Sequence, residues 1–125
     1  MSKSTIQTAK APAAIGPYSQ AIRVNGFIYT SGQLGIDPET GELKDGVQAQ
    51  THQSLRNIQA ILQEEGLDLS HIVKTTVFLS DMNDFAAVND VYATYFTGSF
   101  PARSAVEVAR LPKDGLVEIE AIAVV

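Results

Sequence analysis

Arg103 and Glu118 are the residues of this chain whose types and positions most suggest chemistry, because each lies in a strand-like run otherwise suited to burial. Period-2 alternation places Glu118 and Glu120 on one face of the second run, together with Ile122. In the first run Arg103 shares a face with Ala105. We expect a guanidinium and a carboxylate so placed to meet in a sheltered site, where arginine is suited to bind a substrate carboxylate through two parallel hydrogen bonds.

Each of the two residues also has an ordinary structural explanation. An arginine at the start of a strand is more often a surface ion-pair partner than a ligand clamp. A carboxylate on a partly apolar face can act on a water molecule, yet many such groups only pair with a neighbouring lysine or arginine. Taken alone, the positions of Arg103 and Glu118 therefore favour the structural explanation.

Four more residues are candidates for a ligand site. Tyr18 follows the stiff turn of residues 15–17 and either points its hydroxyl into a pocket or packs a loop against the sheet. Ser31 and Gly32 offer a hydroxyl and free backbone N–H groups at a strand end, but they do not form the nucleophile elbow of serine hydrolases. Asn89 lies on a predicted helix, where its amide either faces the sheet or is exposed.

Several other kinds of site are not predicted. The chain has no cysteine, which excludes disulfides and thiolate chemistry. His52 and His71 are not spaced as metal ligands, so we expect neither a metal site nor a histidine base, and both side chains are expected to face solvent. The glycines form no nucleotide-binding motif.

The composition predicts a single globular domain over residues 1–125, since 45% of the residues are hydrophobic and no break in composition occurs. A net charge of -5 argues against a broad electrostatic contact with nucleic acid or anionic lipid. No apolar run approaches membrane-spanning length, and the N-terminus lacks the apolar core of a signal peptide. We therefore expect a cytoplasmic location.

Local patterns predict the elements that position these residues. In chain order they are strands over residues 20–24 and 27–31, a helix over about 46–65, a strand over 72–79, a second helix, and two strands between residues 101 and 123. Asn25-Gly26 favours a type I′ turn and so predicts that the first two strands form a hairpin. The order β-β-α-β-α-β-β indicates an α+β fold in which two helices pack on one face of a mixed sheet.

The helix ends are predicted from capping residues. Asp45 is expected to cap the first helix, which ends at Gly66. Asn83 or Asp84 is expected to cap the second helix, which ends at Gly98. The apolar side of this second helix comprises Phe85, Val88, Tyr92, Tyr95 and Phe96.

The second face of the predicted sheet needs a cover. The strand over residues 72–79 and the last strand both carry aliphatic side chains on their two faces. Two helices cover only one face of a sheet. We therefore predict a homo-oligomer in which a second copy of the chain covers the other face, so that sites between subunits become possible.

Four segments together resemble the Rid/YjgF family of reactive-intermediate deaminases. They are I-G-P-Y-S-Q-A at 15–21, T-S-G-Q at 30–33, V-K-T-T-V-F-L at 73–79, and P-A-R-S-A-V-E-V-A-R-L-P-K-D at 101–114 followed by V-E-I-E-A-I-A at 117–123. The resemblance implies a chorismate-mutase-like fold, a homotrimer with ligand clefts between subunits, and no cofactor. It also implies hydrolysis of 2-aminoacrylate, its imine tautomer and the four-carbon homologue to 2-oxo acids and ammonia.

The resemblance also implies roles for individual residues. Arg103 matches the arginine that binds the substrate carboxylate, and Glu118 matches the glutamate that holds or polarises the attacking water. The matching pocket residues that shape the cleft are Tyr18, Ser31, Gly32 and Asn89.

Ala105 departs from the pattern of many relatives, which carry cysteine two residues after the arginine. In the family this position contributes mainly backbone N–H and C=O groups to substrate and water, and alanine keeps both. Catalysis is expected to survive, whereas regulation by thiol oxidation is expected to be absent.

Two other functions compete with the deaminase. One is a binding or regulatory module that keeps the carboxylate pocket but catalyses poorly; retention of both Arg103 and Glu118 favours the enzyme. The other is a ribonuclease or translation inhibitor, which the acidic charge balance disfavours.

Overall fold

A computed structural model describes residues 2–125 of the chain. Its sheet contains seven strands: β1 Lys3–Ile6, β2 Ala21–Val24, β3 Phe27–Thr30, β4 Gln33–Leu34, β5 Ile72–Leu79, β6 Ala102–Glu107 and β7 Val117–Val124. The α-helices are α1 Val47–Gln63 and α2 Phe85–Tyr92. The strand order is β1-β2-β3-β7-β5-β6, and the short β4 also pairs with β7.

The sheet is mixed because one strand pair is parallel. β6 runs parallel to β5, whereas the other pairs are antiparallel. The predicted order β-β-α-β-α-β-β is present, with β1 and β4 as additions, so the expected α+β fold with two helices on a mixed sheet is confirmed. β6 lies at one end of the strand order and forms an edge of the sheet.

The predicted hairpin is confirmed at β2 and β3. Asn25 and Gly26 both have positive φ, 52° and 79°, as a type I′ turn requires. The register pairs Val24 with Phe27 directly across this turn. β3 also pairs with β7, so the hairpin joins the rest of the sheet through β3.

β1 is one of the two strands that the predicted order lacks. Of its four residues only Ile6 is buried, so its sequence shows no alternation from which a strand could be inferred. Gln20, which is 3% exposed, secures the segment after β1. Its Oε1 accepts from the backbone N–H of Thr8 at 2.7 Å, and its Nε2 donates to the carbonyl of Pro12 at 2.8 Å.

The predicted cap of α1, Asp45, is wrong, whereas the position predicted for the cap of α2 is confirmed at Asp84 without the expected side-chain hydrogen bond. Gly46, with φ of 89°, occupies the N-cap position of α1, and no side chain caps this helix. Asp84 occupies the N-cap position of α2 without a side-chain hydrogen bond. The carboxylate of Asp81 instead accepts from the backbone N–H of Asn83 and so begins a 3₁₀ turn that leads into α2. α2 also ends earlier than expected, at Tyr92, and a 3₁₀ turn over Ala93–Tyr95 continues it.

The core lies between the helices and one face of the sheet. The alternation predicted for β7 is confirmed, since Val117, Ile119, Ala121 and Ala123 are buried. They pack with α-helical side chains and with the inward side chains of β5; this group includes Leu55, Ile58, Ile61, Leu62, Val88, Val77 and Leu79. Burial of such aliphatic side chains stabilises the fold by about 1.5–3 kcal/mol each.

The opposite face of the sheet carries apolar side chains that remain exposed within one chain. Phe27, Tyr29, Val106 and Val124 are 40%, 44%, 42% and 37% exposed. Strand registers place Tyr29 beside Ile122 and Phe27 beside Val124 on this face. An apolar surface of this kind is typical of a protein–protein interface.

Candidate functional site

Arg103 lies on the helix side of the sheet. It is on the edge strand β6, directly across from Thr75 of β5, whose side chain is fully buried against α2. Its Nη1 donates to Oδ1 of Asn89 at 2.7 Å. Its Cζ lies 5.3 Å from the ring centroid of Phe85 and 4.9 Å from that of Tyr92. We call these four residues, Arg103, Asn89, Phe85 and Tyr92, the Arg103 group.

A cavity of about 400 Å³ opens beside Arg103. Its lining comprises Asn89, Tyr92, Ala93, Phe100, Pro101 and Arg103. The guanidinium is the one cationic group in this lining, so an anionic ligand that enters the cavity would meet it. Ala105 lies two residues further along β6 on the same face, across from Val77, and packs against the core.

Glu118 lies on the other face of the sheet. It is on β7, across from Phe78 of β5 and from Leu34 of β4. It lines a second cavity, of about 530 Å³, together with Tyr18, Ser31 and Gly32. We call these four residues, Glu118, Tyr18, Ser31 and Gly32, the Glu118 group. Glu120 and Lys113 line the same cavity.

The pKa of Glu118 is raised above its usual value. Partial burial is the larger cause, and the neighbouring carboxylate of Glu120 adds to it. A carboxylate whose pKa is moved toward neutrality is a better proton acceptor than an exposed one. Glu118 is therefore suited to take a proton from water.

Replacement of Glu120 by glutamine is expected to lower the pKa of Glu118. The second negative charge disappears, so the charged form of Glu118 costs less. If the carboxylate of Glu118 is the base, activity falls as the pH drops through its pKa, and the acid side of the pH–rate profile moves to lower pH in Glu120→Gln. The exposed Glu64 provides the control: Glu64→Gln makes the same change in net charge and leaves the profile in place. An unmoved profile in Glu120→Gln contradicts this coupling.

The loops around Glu118 are held by a small number of hydrogen bonds. The hydroxyl of Ser31 donates to the carbonyl of Ser19 at 2.6 Å, and its backbone N–H donates to the carbonyl of Gln20 at 2.9 Å. These bonds tie β3 to the loop that carries Tyr18, which is 51% exposed at the rim of the cavity. Ser31 thus positions Tyr18, and both are where a ligand of Glu118 would contact them.

Gly32 sets how closely the chain approaches Glu118. A Cβ atom at Gly32 would lie 2.8 Å from the carboxyl carbon of Glu118, a separation that real Cβ contacts do not show. Only glycine allows this side chain its observed position. The sequence patterns indicate Gly32 only for its free backbone N–H group. The close approach of Gly32 to Glu118 is a second property, which the structure shows.

The expectation that Arg103 and a carboxylate of the last strand meet is wrong within one chain. β5 lies between β6 and β7, and the registers place Arg103 level with Thr75 and Glu118 level with Phe78. Thr75 and Phe78 are three residues apart on β5 and so point to opposite faces. The Arg103 group and the Glu118 group therefore occupy opposite faces of one sheet.

Phe85 and Tyr92 contact the guanidinium of Arg103, although the sequence patterns predict only that they lie on the apolar side of a helix. With Asn89 they follow the spacing i, i+4, i+7, which aligns three side chains on one helix face. A polar residue between two aromatic ones at that spacing was the available signal. This spacing indicates a site for a cation only when the strand that packs beside the helix, and the arginine on it, are also known.

The two histidines lie outside both groups. His52 is half-buried, with Nδ1 at 2.9 Å from the hydroxyl of Tyr95, and His71 is half-buried beside Asp68. The expectation that both side chains face solvent is therefore not met, because each is half-buried. Within residues 2–125, no three side chains of His, Cys, Asp or Glu are grouped so that they could hold a metal ion. In the same residues, no helix is both long and apolar enough to span a membrane.

Comparison with known proteins shows the relationship of the whole chain. The family model described as Endoribonuclease L-PSP matches residues 8–125. The chain is 62% identical over 120 residues to a protein of Capra hircus named 2-iminobutanoate/2-iminopropanoate deaminase, covering 95% of this chain and 88% of that protein. It is 58% identical over 127 residues to the protein of the same name from Escherichia coli, covering 99% of this chain and 98% of that protein.

Solved structures agree with this relationship. The structure of RidA from the Antarctic bacterium Psychrobacter sp. superposes with a TM-score of 0.95 at 52% identity, covering 98% of this chain and 99% of that one. The YjgF gene product of E. coli superposes with a TM-score of 0.94 at 56% identity, covering 97% and 98%. The chain therefore belongs to the Rid/YjgF family.

Proposed function

We propose that this protein is a cofactor-free deaminase that hydrolyses 2-iminopropanoate, 2-iminobutanoate and their enamine tautomers to 2-oxo acids and ammonia. The relatives from goat and E. coli carry the name of this activity. The observation that carries the proposal is Glu118: a half-buried carboxyl of raised pKa that lines an open cavity beside Tyr18 and Gly32. The substrate has a carboxylate and an electrophilic imine carbon, and the two groups of side chains match these two features.

Arg103 binds the substrate carboxylate in this mechanism. Its guanidinium is held on the helix side by Asn89 and by two aromatic rings. Arginine and carboxylate form charge-assisted hydrogen bonds of fixed geometry. Binding at one end of a small substrate orients the imine carbon toward the attacking water, which lowers the entropic part of the barrier.

Glu118 moves the protons. The imine reacts in its protonated form. As the water oxygen forms a bond to the iminium carbon, the C=N π electrons pass to the nitrogen, the carboxylate of Glu118 accepts one proton from the water, and a neutral carbinolamine results. Glu118 then donates this proton to the nitrogen. The C–N bond breaks as the carboxylate of Glu118 accepts the hydroxyl proton, which gives the 2-oxo acid and ammonia; that proton then passes to ammonia, which leaves as ammonium. An enamine substrate first takes a proton from solvent at C3, which gives the iminium.

We propose a homotrimer whose sites lie between subunits. The Arg103 group and the Glu118 group occupy opposite faces of one sheet, so one chain cannot offer both to the same small substrate. The exposed apolar side chains on the Glu118 face, which include Tyr29 and Val124, supply the surface that a second copy would cover. The Arg103 group of one subunit then meets the Glu118 group of its neighbour.

A coupled assay tests the activity. A pyridoxal-phosphate-dependent dehydratase, present in excess, generates 2-aminoacrylate from serine, and pyruvate appearance is followed with and without this protein. We expect pyruvate to form faster than in the uncatalysed reaction, in proportion to the protein added. Binding of 2-oxobutanoate without any acceleration would instead identify the binding module.

A ribonuclease remains the second candidate, because the matching family model carries the description Endoribonuclease L-PSP. The net charge of -5 disfavours it. RNA cleavage that weakens steeply with salt and survives Arg103→Ala would support the nuclease. The cytoplasmic location stays a prediction, which cell fractionation checks.

A further inference from the structure

We propose that Tyr92, anchored by Thr75, is a positioning residue that holds the guanidinium of Arg103 in the orientation needed to bind a carboxylate. This inference deepens the proposed function and rests on it for the identity of the ligand. It concerns two side chains to which the sequence patterns gave no role beyond the fold.

The guanidinium contacts two aromatic rings. Phe85 and Tyr92 are seven residues apart on α2, which is about two helical turns, so both side chains lie on the same helix face. The Cζ of Arg103 lies 5.3 Å from the ring centroid of Phe85 and 4.9 Å from that of Tyr92. A cation in contact with an aromatic face is attracted by the ring's negative face. Contact with two rings therefore restricts the guanidinium, and Asn89 accepts a hydrogen bond from one of its nitrogens.

Tyr92 is itself fixed to the centre of the sheet. Its side chain is 4% exposed, and its hydroxyl lies 2.7 Å from Oγ1 of Thr75, which is fully buried on β5. Burial raises the pKa of Tyr92, so the hydroxyl stays protonated and the ring stays neutral. The ring of Phe96 also packs against Tyr92, with the two centroids 4.8 Å apart. Thr75 on the interior strand β5 thus holds the ring of Tyr92, and this ring in turn positions Arg103 on the edge strand β6.

This arrangement matters because an unrestrained arginine samples many rotamers. Ordering such a side chain on binding costs conformational entropy. A guanidinium ordered before the ligand arrives avoids that cost, so affinity rises without a new contact to the ligand. Tyr92 therefore acts on binding through Arg103 and does not need to touch the substrate.

Two readouts test the inference, and the first needs no ligand. The side-chain Nε–Hε resonance of Arg103 is assigned from its loss in Arg103→Lys. In the parent, the ring currents of Phe85 and Tyr92 should move its chemical shift away from the value of exposed arginines. In Tyr92→Leu we expect this chemical shift to return toward that of exposed arginines. The second readout is the dissociation constant of 2-oxobutanoate by calorimetry, which we expect to rise about tenfold in Tyr92→Leu. KM should rise by a similar factor, with a smaller change in kcat.

Conservative variants separate positioning from folding. Tyr92→Phe keeps the ring and loses the hydrogen bond to Thr75. We therefore expect the dissociation constant to rise about threefold and the Arg103 resonance to keep most of its ring-current shift. Val88→Ala removes a buried side chain from the same helix and should lower the melting temperature while both readouts keep their parental values.

The possible outcomes are distinct. An unchanged resonance and an unchanged dissociation constant in Tyr92→Leu overturn the positioning role. Equal changes in Val88→Ala also overturn it, because the effect would then follow from loss of stability. A displaced resonance that depends on Tyr92, in a parent protein that neither binds 2-oxobutanoate nor accelerates imine hydrolysis, supports the positioning of Arg103 and refutes the proposed function.

Discussion

Mixed oligomers of two inactive variants, Arg103→Ala and Glu118→Gln, are expected to recover about one quarter of the parental activity. Each variant alone should lose at least about 100-fold in kcat/KM, since one lacks the carboxylate clamp and the other lacks the proton acceptor. Recovery follows if each site takes its Arg103 group from one subunit and its Glu118 group from the neighbour. In randomly mixed trimers, about half of the subunits have an intact Arg103, and about half of their neighbours have an intact Glu118.

The measurement is the coupled pyruvate assay on variants that are unfolded together and refolded as a mixture, with subunit mixing confirmed by native mass spectrometry. A mixture of Arg103→Ala with the double variant Arg103→Ala/Glu118→Gln is the control, because no subunit in it carries the arginine. Confirmed mixed oligomers that remain as inactive as the separate variants would show that the site is not shared between subunits.

Gly32→Ala is expected to lower kcat by about 100-fold while the protein stays folded. The added Cβ would lie 2.8 Å from the carboxyl carbon of Glu118 and within 3.0 Å of its Oε2, so the carboxylate must move. Displacement of a catalytic group by about 1 Å costs rates of this size. The backbone is not the cause, because Gly32 does not have the positive φ that disfavours alanine.

Gly16→Ala is the matched control for this prediction. Gly16 also lacks a positive φ, and a Cβ atom there would meet only the ring of Tyr18 at 3.7 Å, an ordinary van der Waals contact. We expect it to retain most of the parental kcat and a similar melting temperature. Full activity in Gly32→Ala, measured in the same assay, would mean that the position of Glu118 is not critical for the reaction.

The sequence predicted those parts of the fold that depend on neighbouring residues. The turn at Asn25-Gly26 and the alternation of Val117 with Glu118 are local, and both are present. β1 is not predicted because its pairing with β2 is formed by the backbone, and only one of its four side chains is buried. The capping role given to Asp45 was wrong because Gly46, at positive φ, occupies that position instead.

The site was only partly predictable for a related reason. The structure gathers the candidate residues into the Arg103 group and the Glu118 group, and Phe85 and Tyr92 join the first of these without having been candidates. Their separation onto two faces depends on the parallel pairing of β5 with β6 and on the antiparallel pairing of β5 with β7. Both registers are set by contacts between residues far apart in sequence, which periodicity cannot give.

The position of β6 has a consequence for handling the protein. As the last strand in the sheet order, it offers one backbone edge on which another extended chain can add hydrogen bonds, and the exposed Val106 lies on that strand. A chain whose β6 edge is uncovered is therefore the species at risk of cross-β association. The refolding yield should fall as the protein concentration rises, because this association requires two chains to meet.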